Sequence, residues 1–421
     1  MPAVELSEGD RAALDGEDGE AAAFAMRIVV EMAGVVGADR LIDVTAAHID
    51  GCLYHGIAGL EFAERLVTAG ARVRVPTTLN VGYLDLLHPE RYRGDEPTAA
   101  NARRQMDAYV EMGCRPTWTC APYQLAERPD LGEHVAWAES NAIVFCNSVL
   151  GARTARYGDF IDIAAAITGR VPLAGLHRDE ERLASLAVRL EGVPERLLNS
   201  DVLFPVLGHL IGREAGSAVP AIVGLPPDSS EDHLKALGAA ASSSGSVAMF
   251  HAVGLTPEAP TLEAATGGAT VPEIAVTAAS LRAARDELET AKGGDRLGAV
   301  CVGTPHASLS QLEWLAELLG GEQPSVALWV NTGRDILAEA ERRGVSAALE
   351  EAGVRIVTDT CTYLSPLLGA VESPVMTDSG KWAWYAPANI GVKVVFGSLQ
   401  ECVRSAMAGR ILRDPALWAD D

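Results

Sequence analysis

Short apolar, β-branched runs alternate with longer amphipathic stretches along much of this 421-residue chain. The alternation is clearest in the C-terminal third, where RLGAVCVG, SVALWV and VRIVTD predict strands and SLSQLEWLAELLGG predicts a helix between the first two. Strands that alternate with helices in this way are typical of βαβ units and of parallel sheets. The pattern therefore predicts an α/β fold.

The first two thirds of the chain show the same alternation less regularly. Residues 20–37 are Ala-rich and predict a long helix, and ARVRVPTTLN predicts a strand that stops at Pro76. The stretch HVAWAESNAIVFCNSVLGART is interpreted as a helix followed by a strand and a polar loop. A segment rich in Gly, Pro and Thr, near residues 254–272, predicts a linker. We therefore expect an N-terminal α/β region at 1–260, with room for two subdomains, and a C-terminal α/β domain at 261–421.

The net charge and the cysteines of the chain indicate which binding partners and which cell compartment to expect. With 34 Lys and Arg against 57 Asp and Glu, the formal net charge is -23, which disfavours binding to nucleic acids and to anionic membranes. The first 20 residues are acidic and polar, unlike a secretory signal, and no long uncharged apolar stretch follows, so we expect a cytoplasmic protein. In that compartment the seven cysteines are expected to be thiols, catalysts or metal ligands. Without a CxxC motif, a metal site would have to gather cysteines that are distant in sequence.

Polar clusters follow many of the predicted strands. They are TAAHIDG, PTTLN, TCAPY, CNSVLGART, GTPHAS, NTGR and TDTC. Ligands of parallel α/β sheets bind where the strands end at their carboxyl side. So many polar loops at such positions predict a functional site there.

Two cysteines occupy similar places in these loops. Cys120 in TCAPY and Cys361 in TDTC both follow a threonine in polar surroundings. They suit either of two roles, half-buried core thiols or ligands for iron or zinc. Cys301 precedes the GTPHAS loop by two residues and falls within a predicted strand.

Other polar residues suggest proton transfer and anion binding. His48 and Asp50 flank Ile49, and they suit an acid–base pair or a cap before a turn. His306 precedes Ser308, a good helix N-cap, and it suits either turn chemistry or contact with an anion.

Two further loops suit a carboxylate or a phosphate. The first, NSVLGART, contributes Asn147, Ser148, Arg153 and Thr154. The second, TDSGKWAWYAP, contributes Ser379 and Lys381, but it lacks the spacing of a phosphate-binding P-loop.

Taken together and in this order, the loops resemble those of the catalytic large subunit of aconitase X. NSVLGART and the C-terminal pair SGKWAWYAP and GVKVVFGSLQECVRSA are the most specific segments. The resemblance implies an aconitase-like fold, with several parallel βαβ units in two or three packed domains. It also implies an iron–sulfur cluster held by cysteines and the dehydration of a small hydroxy acid.

The resemblance assigns roles to the candidate residues. Cys361 and Cys120 become cluster ligands. Many family members have cysteine in a G-C-P-H motif where this chain has Thr304, so Cys301 is the expected third ligand. The cluster type stays open between 2Fe-2S and 4Fe-4S. His48, Asp50, His306 and Lys381 are the expected catalytic residues, and Asn147, Ser148, Arg153, Thr154 and Ser379 are the expected substrate-binding residues.

Family members close the site with a swivel domain that supplies a serine base, and we find no segment of this sequence for it. We therefore expect a heterodimer in which a separate small subunit provides the swivel domain. Because no loop is rich in basic residues, cis-3-hydroxy-L-proline is favoured as the substrate over phosphomevalonate. The alternatives are the large subunit of a phosphomevalonate dehydratase and a cluster-free scaffold or sensor protein of the same fold.

Overall fold

Glycine ends the second helix of the chain where the sequence pattern predicts it. Helix α1 (Glu8–Asp15) begins with a capping box between Ser7 and Asp10. Helix α2 (Glu20–Val36) covers the Ala-rich stretch and ends at Gly37, whose φ of 70° suits a residue without a Cβ atom. The prediction of a long helix in this stretch is confirmed.

The computed structural model describes residues 4–291 and 295–419. The chain divides into two units, each built from two stretches of sequence. Unit 1 comprises Met1–Leu84 and Asp95–Leu183, and unit 2 comprises Asp85–Gly94 and Ala184–Asp421. In the described part of the chain, no helix is long and apolar enough to cross a membrane.

Unit 1 contains a small parallel sheet. Beyond α1 and α2, its main elements are β1 (Leu41–Asp43), β2 (Ala47–Ile49), α3 (Ile57–Thr68), β3 (Thr77–Leu79), α4 (Glu96–Glu111), β4 (Ala136–Trp137), α5 (Ser140–Phe145), α6 (Ile161–Thr168) and β5 (Arg170–Pro172). The parallel sheet has the order β3-β2-β4, and β1 pairs with β5 in an antiparallel ribbon. The carboxyl ends of β2, β3 and β4 lead into polar residues that are described below.

Two local predictions in unit 1 are wrong. Strand β3 begins after Pro76 instead of ending there, which suits a residue that has no N–H to donate to a ladder. In the stretch around NAIVF, strand β4 comes first, helix α5 follows, and a π-helical turn covers Cys146–Leu150. The NAIVF run is buried throughout, so its pattern has no polar face that would distinguish a helix from a strand.

Unit 2 holds two larger parallel sheets. Its main elements are β6 (Leu186–Leu190), α7 (Glu195–Leu198), α8 (Leu203–Ala215), β7 (Pro220–Val223), α9 (Glu231–Ser244), β8 (His251–Ala252), α10 (Leu262–Thr266), β9 (Glu273–Val276), α11 (Ala278–Glu287), β10 (Ala299–Ala307), α12 (Leu309–Leu319), β11 (Ala327–Thr332), α13 (Arg334–Arg342), α14 (Val345–Glu351), β12 (Arg355–Val357), β13 (Val375–Thr377), α15 (Gly380–Ile390), β14 (Val394–Phe396) and α16 (Leu399–Ala408). The sheets have the orders β8-β7-β6-β9 and β12-β11-β10-β13-β14. The predicted α/β class with several parallel βαβ units is confirmed.

The segment predicted to be a linker lies within one sheet of unit 2. Residues 254–272 lead from β8 through α10 to β9, and β9 pairs in parallel with β6. The division predicted at residue 260 therefore falls inside this sheet.

Strand β10 departs from regular pairing near its carboxyl end. Cys301 stands opposite Trp329 and Val302 opposite Val330, but the next pair is Ala307 with Thr332. Residues 303–306 of β10 are therefore opposed on β11 by residue 331 alone. This irregular stretch carries Thr304 and His306 out of the regular ladder.

Candidate functional site

The two candidate cysteines end the same four-residue pattern, Thr-x-Thr-Cys. In each case the residue two positions before the cysteine has a positive φ, 45° at Trp118 and 61° at Asp359. A residue with a side chain adopts this conformation at a cost, and it persists only when its surroundings hold it. Such strain concentrates at functional sites, so it supports a special role for Cys120 and Cys361.

In unit 1, an asparagine holds the loop of Cys120. The Asn141 amide donates to the carbonyl oxygen of Cys120 over 2.7 Å and also donates to the Glu139 carboxylate. The Tyr123 hydroxyl donates to the amide oxygen of the same asparagine. All of these side chains are buried, and Cys120 is only 3% exposed. The loop is therefore fixed by a closed polar network.

In unit 2, Asn331 at the end of β11 plays a corresponding part for Cys361. Its amide oxygen accepts from the backbone N–H of Thr362 over 3.1 Å. Its amide nitrogen donates to the hydroxyls of Thr304 and Thr362, over 3.0 and 3.3 Å. One buried side chain thus joins the loop after β12 to the irregular stretch of β10.

Asp359, the residue with a positive φ in this loop, is held by hydrogen bonds within unit 2. The Asp359 carboxylate accepts two hydrogen bonds from Arg334, of 2.6 and 2.7 Å, and one from the backbone N–H of Leu86. Asp85 accepts from both the backbone and the hydroxyl of Thr358. These charge-assisted bonds hold the TDTC loop in place from the side of Asp359.

Beside this loop, unit 2 brings a thiol and an imidazole together. A ring nitrogen of His306 and the Sγ atom of Cys361 lie within 4.8 Å of each other. Both side chains are fully buried, and the Thr360 carbonyl oxygen lies 3.3 Å from Nε2 of His306. Thiolate and imidazole are both ligands of iron in proteins, so this pair fits the metal centre that the resemblance implies.

Cys301 has a different environment. It lies in the regular part of β10, is fully buried, and its sulfur shares a hydrogen bond with the side chain of Thr362. Burial raises the pKa of its thiol to about 12, although the contact with Thr362 opposes this rise. Its assignment as a third ligand stays a prediction.

His48 lies on β2, at the centre of the small sheet of unit 1. Its Nδ1 atom shares a 2.8 Å hydrogen bond with the hydroxyl of Thr78, and its Nε2 atom has no partner among the described residues. Burial lowers the pKa of the imidazole to about 4, although the charge of Glu139 opposes this shift. His48 is therefore neutral at physiological pH. Its Nε2 atom is buried inside unit 1.

Asp50 follows His48 and lies within a group of carboxyls. Burial, reinforced by the nearby charges of Glu139 and Asp159, raises the pKa of Asp50 to about 8, although an Asn80 side-chain hydrogen bond opposes the rise. Asp162 accepts from the backbone N–H of Asp50 over 2.8 Å and fixes the turn. Asp50 is therefore a carboxylic acid at neutral pH and has a proton to donate.

The NSVLGART segment follows a helix instead of the predicted strand, and hydrogen bonds within unit 1 hold it. The side chain of Asn147 exchanges bonds of 2.9 and 3.0 Å with the backbone of Thr154. The buried guanidinium of Arg182 donates to both oxygens of Asn147. Ser148 is also buried. These contacts explain how the segment keeps its shape, and its role in substrate binding stays a prediction.

A hydrogen bond and an ion pair within unit 1 hold the side chain of Arg153. One of its terminal nitrogens donates to the carbonyl oxygen of His177 over 3.1 Å, and another pairs with the exposed carboxylate of Asp179. Its side chain keeps 21% of its accessible surface. Both contacts are with protein groups, so the binding of a substrate carboxylate by Arg153 stays a prediction.

The SGK turn begins helix α15 in unit 2. The hydroxyl of Ser379 accepts from the backbone N–H of Trp382 over 3.0 Å, so Ser379 is an N-cap. Lys381 lies in the first turn and is 3% exposed. The indole N–H of Trp382 donates to the Thr362 hydroxyl over 3.0 Å. The helix is thereby connected to the loop that carries Cys361.

Comparison with known proteins identifies the family. Family models for the first, second and third domains of aconitase X match residues 3–180, 184–286 and 297–408. The chain belongs to the aconitase X family. The predicted resemblance is therefore confirmed.

Several named proteins are similar to this aconitase X chain. It is 47% identical to a cis-3-hydroxy-L-proline dehydratase of Pseudomonas aeruginosa, over 99% of this chain and 72% of that protein. It is 42% identical to a protein of the same name from Hypocrea jecorina, over 96% and 69%. It is 38% identical to the phosphomevalonate dehydratase large subunit of Methanothermobacter thermautotrophicus, over 95% and 98%.

The fold agrees with that of a crystal structure. The holo-form of Thermococcus kodakaraensis aconitase X superposes with a TM-score of 0.86 at 34% identity, covering 96% of this chain and 100% of that one. These matches confirm the aconitase-like fold. Since the named relatives are dehydratases, this aconitase X chain is a hydro-lyase.

Asp50→Asn should remove part of the pH dependence of stability. Near pH 4 the carboxyl of Asp50 is largely protonated in the folded chain and begins to ionise in the unfolded chain. As the pH rises towards 8, the unfolded chain releases this proton first, so the folded state is increasingly disfavoured. The amide of the D50N variant does not ionise. The advantage of D50N over the wild type in unfolding free energy should therefore be larger at pH 9 than near pH 4, by roughly 5 kcal/mol.

Denaturant unfolding at both pH values measures this difference. Asp107→Asn is the matched control, because Asp107 is exposed on α4 and should give the same small difference at both pH values. An effect of D50N that does not change between the two pH values would contradict the account of Asp50 as a buried acid.

Proposed function

We propose that this aconitase X protein dehydrates cis-3-hydroxy-L-proline to pyrroline-2-carboxylate. The observation that carries the proposal is the 47% identity, over 99% of the chain, to a cis-3-hydroxy-L-proline dehydratase. The phosphomevalonate dehydratase large subunits are less similar, at 38% and 34% identity for two archaeal examples. The net charge of -23 also suits an amino-acid substrate better than a phosphorylated one.

The reaction requires two bonds to break. A base removes the proton from Cα, and the hydroxyl at C3 leaves with a proton from an acid, so that one water is released for each substrate. The resulting enamine becomes the imine of pyrroline-2-carboxylate by moving a proton from nitrogen to carbon. The protein must therefore hold a carboxylate, supply an acid and position a base.

Asp50 is the acid that the structure supports best. It is protonated at neutral pH because burial and neighbouring carboxylates raise its pKa to about 8, so it has a proton for the departing hydroxyl. We assign to His48, whose imidazole is neutral, the role of orienting the groups that take part in this proton transfer. Lys381 and Arg153 are assigned to the charge of the substrate carboxylate.

The family resemblance and the buried donor atoms support an iron–sulfur cluster of the 2Fe-2S or 4Fe-4S type. Cys361, beside His306 in unit 2, and Cys120, in the matching Thr-x-Thr-Cys loop of unit 1, are the ligands proposed first. When bound, such a cluster supplies Lewis acidity that favours loss of the hydroxyl. The residues of the chain supply the proton and the binding of the substrate.

We also propose that the protein is the large subunit of a cytoplasmic heterodimer whose small swivel subunit supplies the base. This chain spans 98% of the phosphomevalonate dehydratase large subunit of Methanothermobacter thermautotrophicus and 99% of that of Methanocaldococcus jannaschii, and both are described as large subunits. The same observation favours phosphomevalonate as a second candidate substrate. The proposal includes no nucleic-acid or membrane partner.

Dehydration of cis-3-hydroxy-L-proline should require both subunits. The chain is purified anaerobically, its cluster is reconstituted, and pyrroline-2-carboxylate is followed with and without a candidate swivel protein. We expect turnover only with both proteins, because the Cα proton needs a positioned base. Phosphomevalonate is assayed in parallel. Turnover of phosphomevalonate alone would contradict the proposed substrate, and full turnover by the large chain alone would contradict the proposed source of the base.

Arg153→Ala should abolish turnover if its guanidinium binds the substrate carboxylate. The expected loss in kcat/KM is roughly 100-fold or more, as for other groups that stabilise charge in the transition state. Asp179→Ala is the matched control, because it breaks the same ion pair and leaves the guanidinium in place. We expect D179A to keep its activity. Equal losses in both variants would show that Arg153 only holds the structure.

A further inference from the structure

The irregular stretch of β10 determines which side chains approach Cys361. The regular ladder ends with Val302 opposite Val330 and resumes with Ala307 opposite Thr332. A side chain within the regular ladder is fixed in the middle of the sheet, whereas one in the irregular stretch is free to turn towards the loop after β12. Cys301 belongs to the first group and His306 to the second.

The imidazole of His306 is buried beside the loop that carries Cys361. The ring is fully buried, and one of its nitrogens lies within 4.8 Å of the Cys361 sulfur. The Thr360 carbonyl oxygen, which can only accept, lies 3.3 Å from Nε2. A backbone carbonyl beside a ring nitrogen is a common feature of metal-binding histidines, in which it helps to orient the imidazole. The backbone of His306 is also held, since Lys235 donates to its carbonyl oxygen over 3.3 Å.

Cys301 is as deeply buried as His306 but has different contacts. Its sulfur is engaged with the side chain of Thr362. It stands opposite Trp329 in the regular ladder, so the backbone on both sides is fixed by sheet hydrogen bonds. Thr304 occupies the position of the usual family cysteine. Its side chain offers only a hydroxyl, which accepts a hydrogen bond from the Asn331 amide.

We propose that His306 is a protein ligand of the iron centre in unit 2, together with Cys361, and takes the place of a third thiolate. The inference rests on the proposed iron–sulfur centre. A neutral imidazole in place of a thiolate removes one negative charge from the ligand set. This change should raise the reduction potential of the centre relative to a centre with thiolates only, as occurs when histidine replaces cysteine in other clusters. The competing assignment is a core histidine, with Cys301 as the ligand.

Iron and sulfide content distinguishes the two assignments without any measurement of activity. The wild-type chain, His306→Ala, His306→Cys and Cys301→Ser are reconstituted anaerobically and desalted, and circular dichroism confirms that each is folded. Cys402→Ser is the matched control, because Cys402 is a buried thiol in the same unit, on α16. We expect H306A to bind iron at least about tenfold more weakly, the scale on which disturbed metal sites lose affinity, and C301S and C402S to bind it like the wild type.

His306→Cys keeps the test decisive if H306A fails to fold. This variant should keep the cluster, show a changed visible spectrum and have a lower reduction potential, because a thiolate replaces the imidazole. Normal iron content in H306A together with loss of iron in C301S would overturn the proposal in favour of Cys301. If the wild type itself binds no iron, the proposed function fails instead, so the two failures are distinguishable.

Pulsed electron paramagnetic resonance identifies the nitrogen directly. Protein labelled with ¹⁵N-histidine is compared with unlabelled protein, each poised in the paramagnetic oxidation state of its cluster. We expect a strongly coupled nitrogen that changes with the label and is absent in H306C. A spectrum that is unaffected by the label would overturn the proposal.

Discussion

The amide of Asn331 joins the two loops on which the candidate metal centre of unit 2 depends. It stands alone on β11 against the irregular stretch of β10 and bonds to Thr304 there. It also accepts from the backbone of Thr362, next to Cys361. Because parallel strands bring their carboxyl ends to one edge, a single buried side chain on β11, which lies between β12 and β10, reaches both neighbouring loops. Without it, two polar loops would be left with buried, unsatisfied groups.

In unit 1, burial determines the protonation states of the candidate catalytic residues His48 and Asp50. His48 is held neutral and Asp50 is held protonated by the same cause, since removal from water disfavours the charged form of each. The charge of Glu139 raises the pKa of both groups. It therefore opposes the effect of burial on His48 and reinforces the effect of burial on Asp50. The unit thereby keeps an acid available at a pH where an ordinary carboxyl would be ionised.

The sequence predicted the fold and the position of Cys361 because both depend on local pattern. β-Branched runs gave the parallel strands of the last sheet, and the TDTC loop follows one of them. The NTGR cluster marked Asn331 only as one of several polar loops, since its partners belong to other strands. The raised pKa of Asp50 was also beyond prediction, because its main cause is burial, reinforced by the charges of Glu139 and Asp159, which only the folded chain brings close. The helix around Phe145 was mistaken for a strand, since it is buried on all sides.

An anomalous difference map recorded at the iron absorption edge, from crystals grown anaerobically, would show which side chains bind iron. We expect an iron peak within bonding distance of the Cys361 sulfur and of a ring nitrogen of His306. We expect no iron bound to Cys301. A map with no iron beside Cys361, or with iron bound to Cys301 and not to His306, would contradict this expectation.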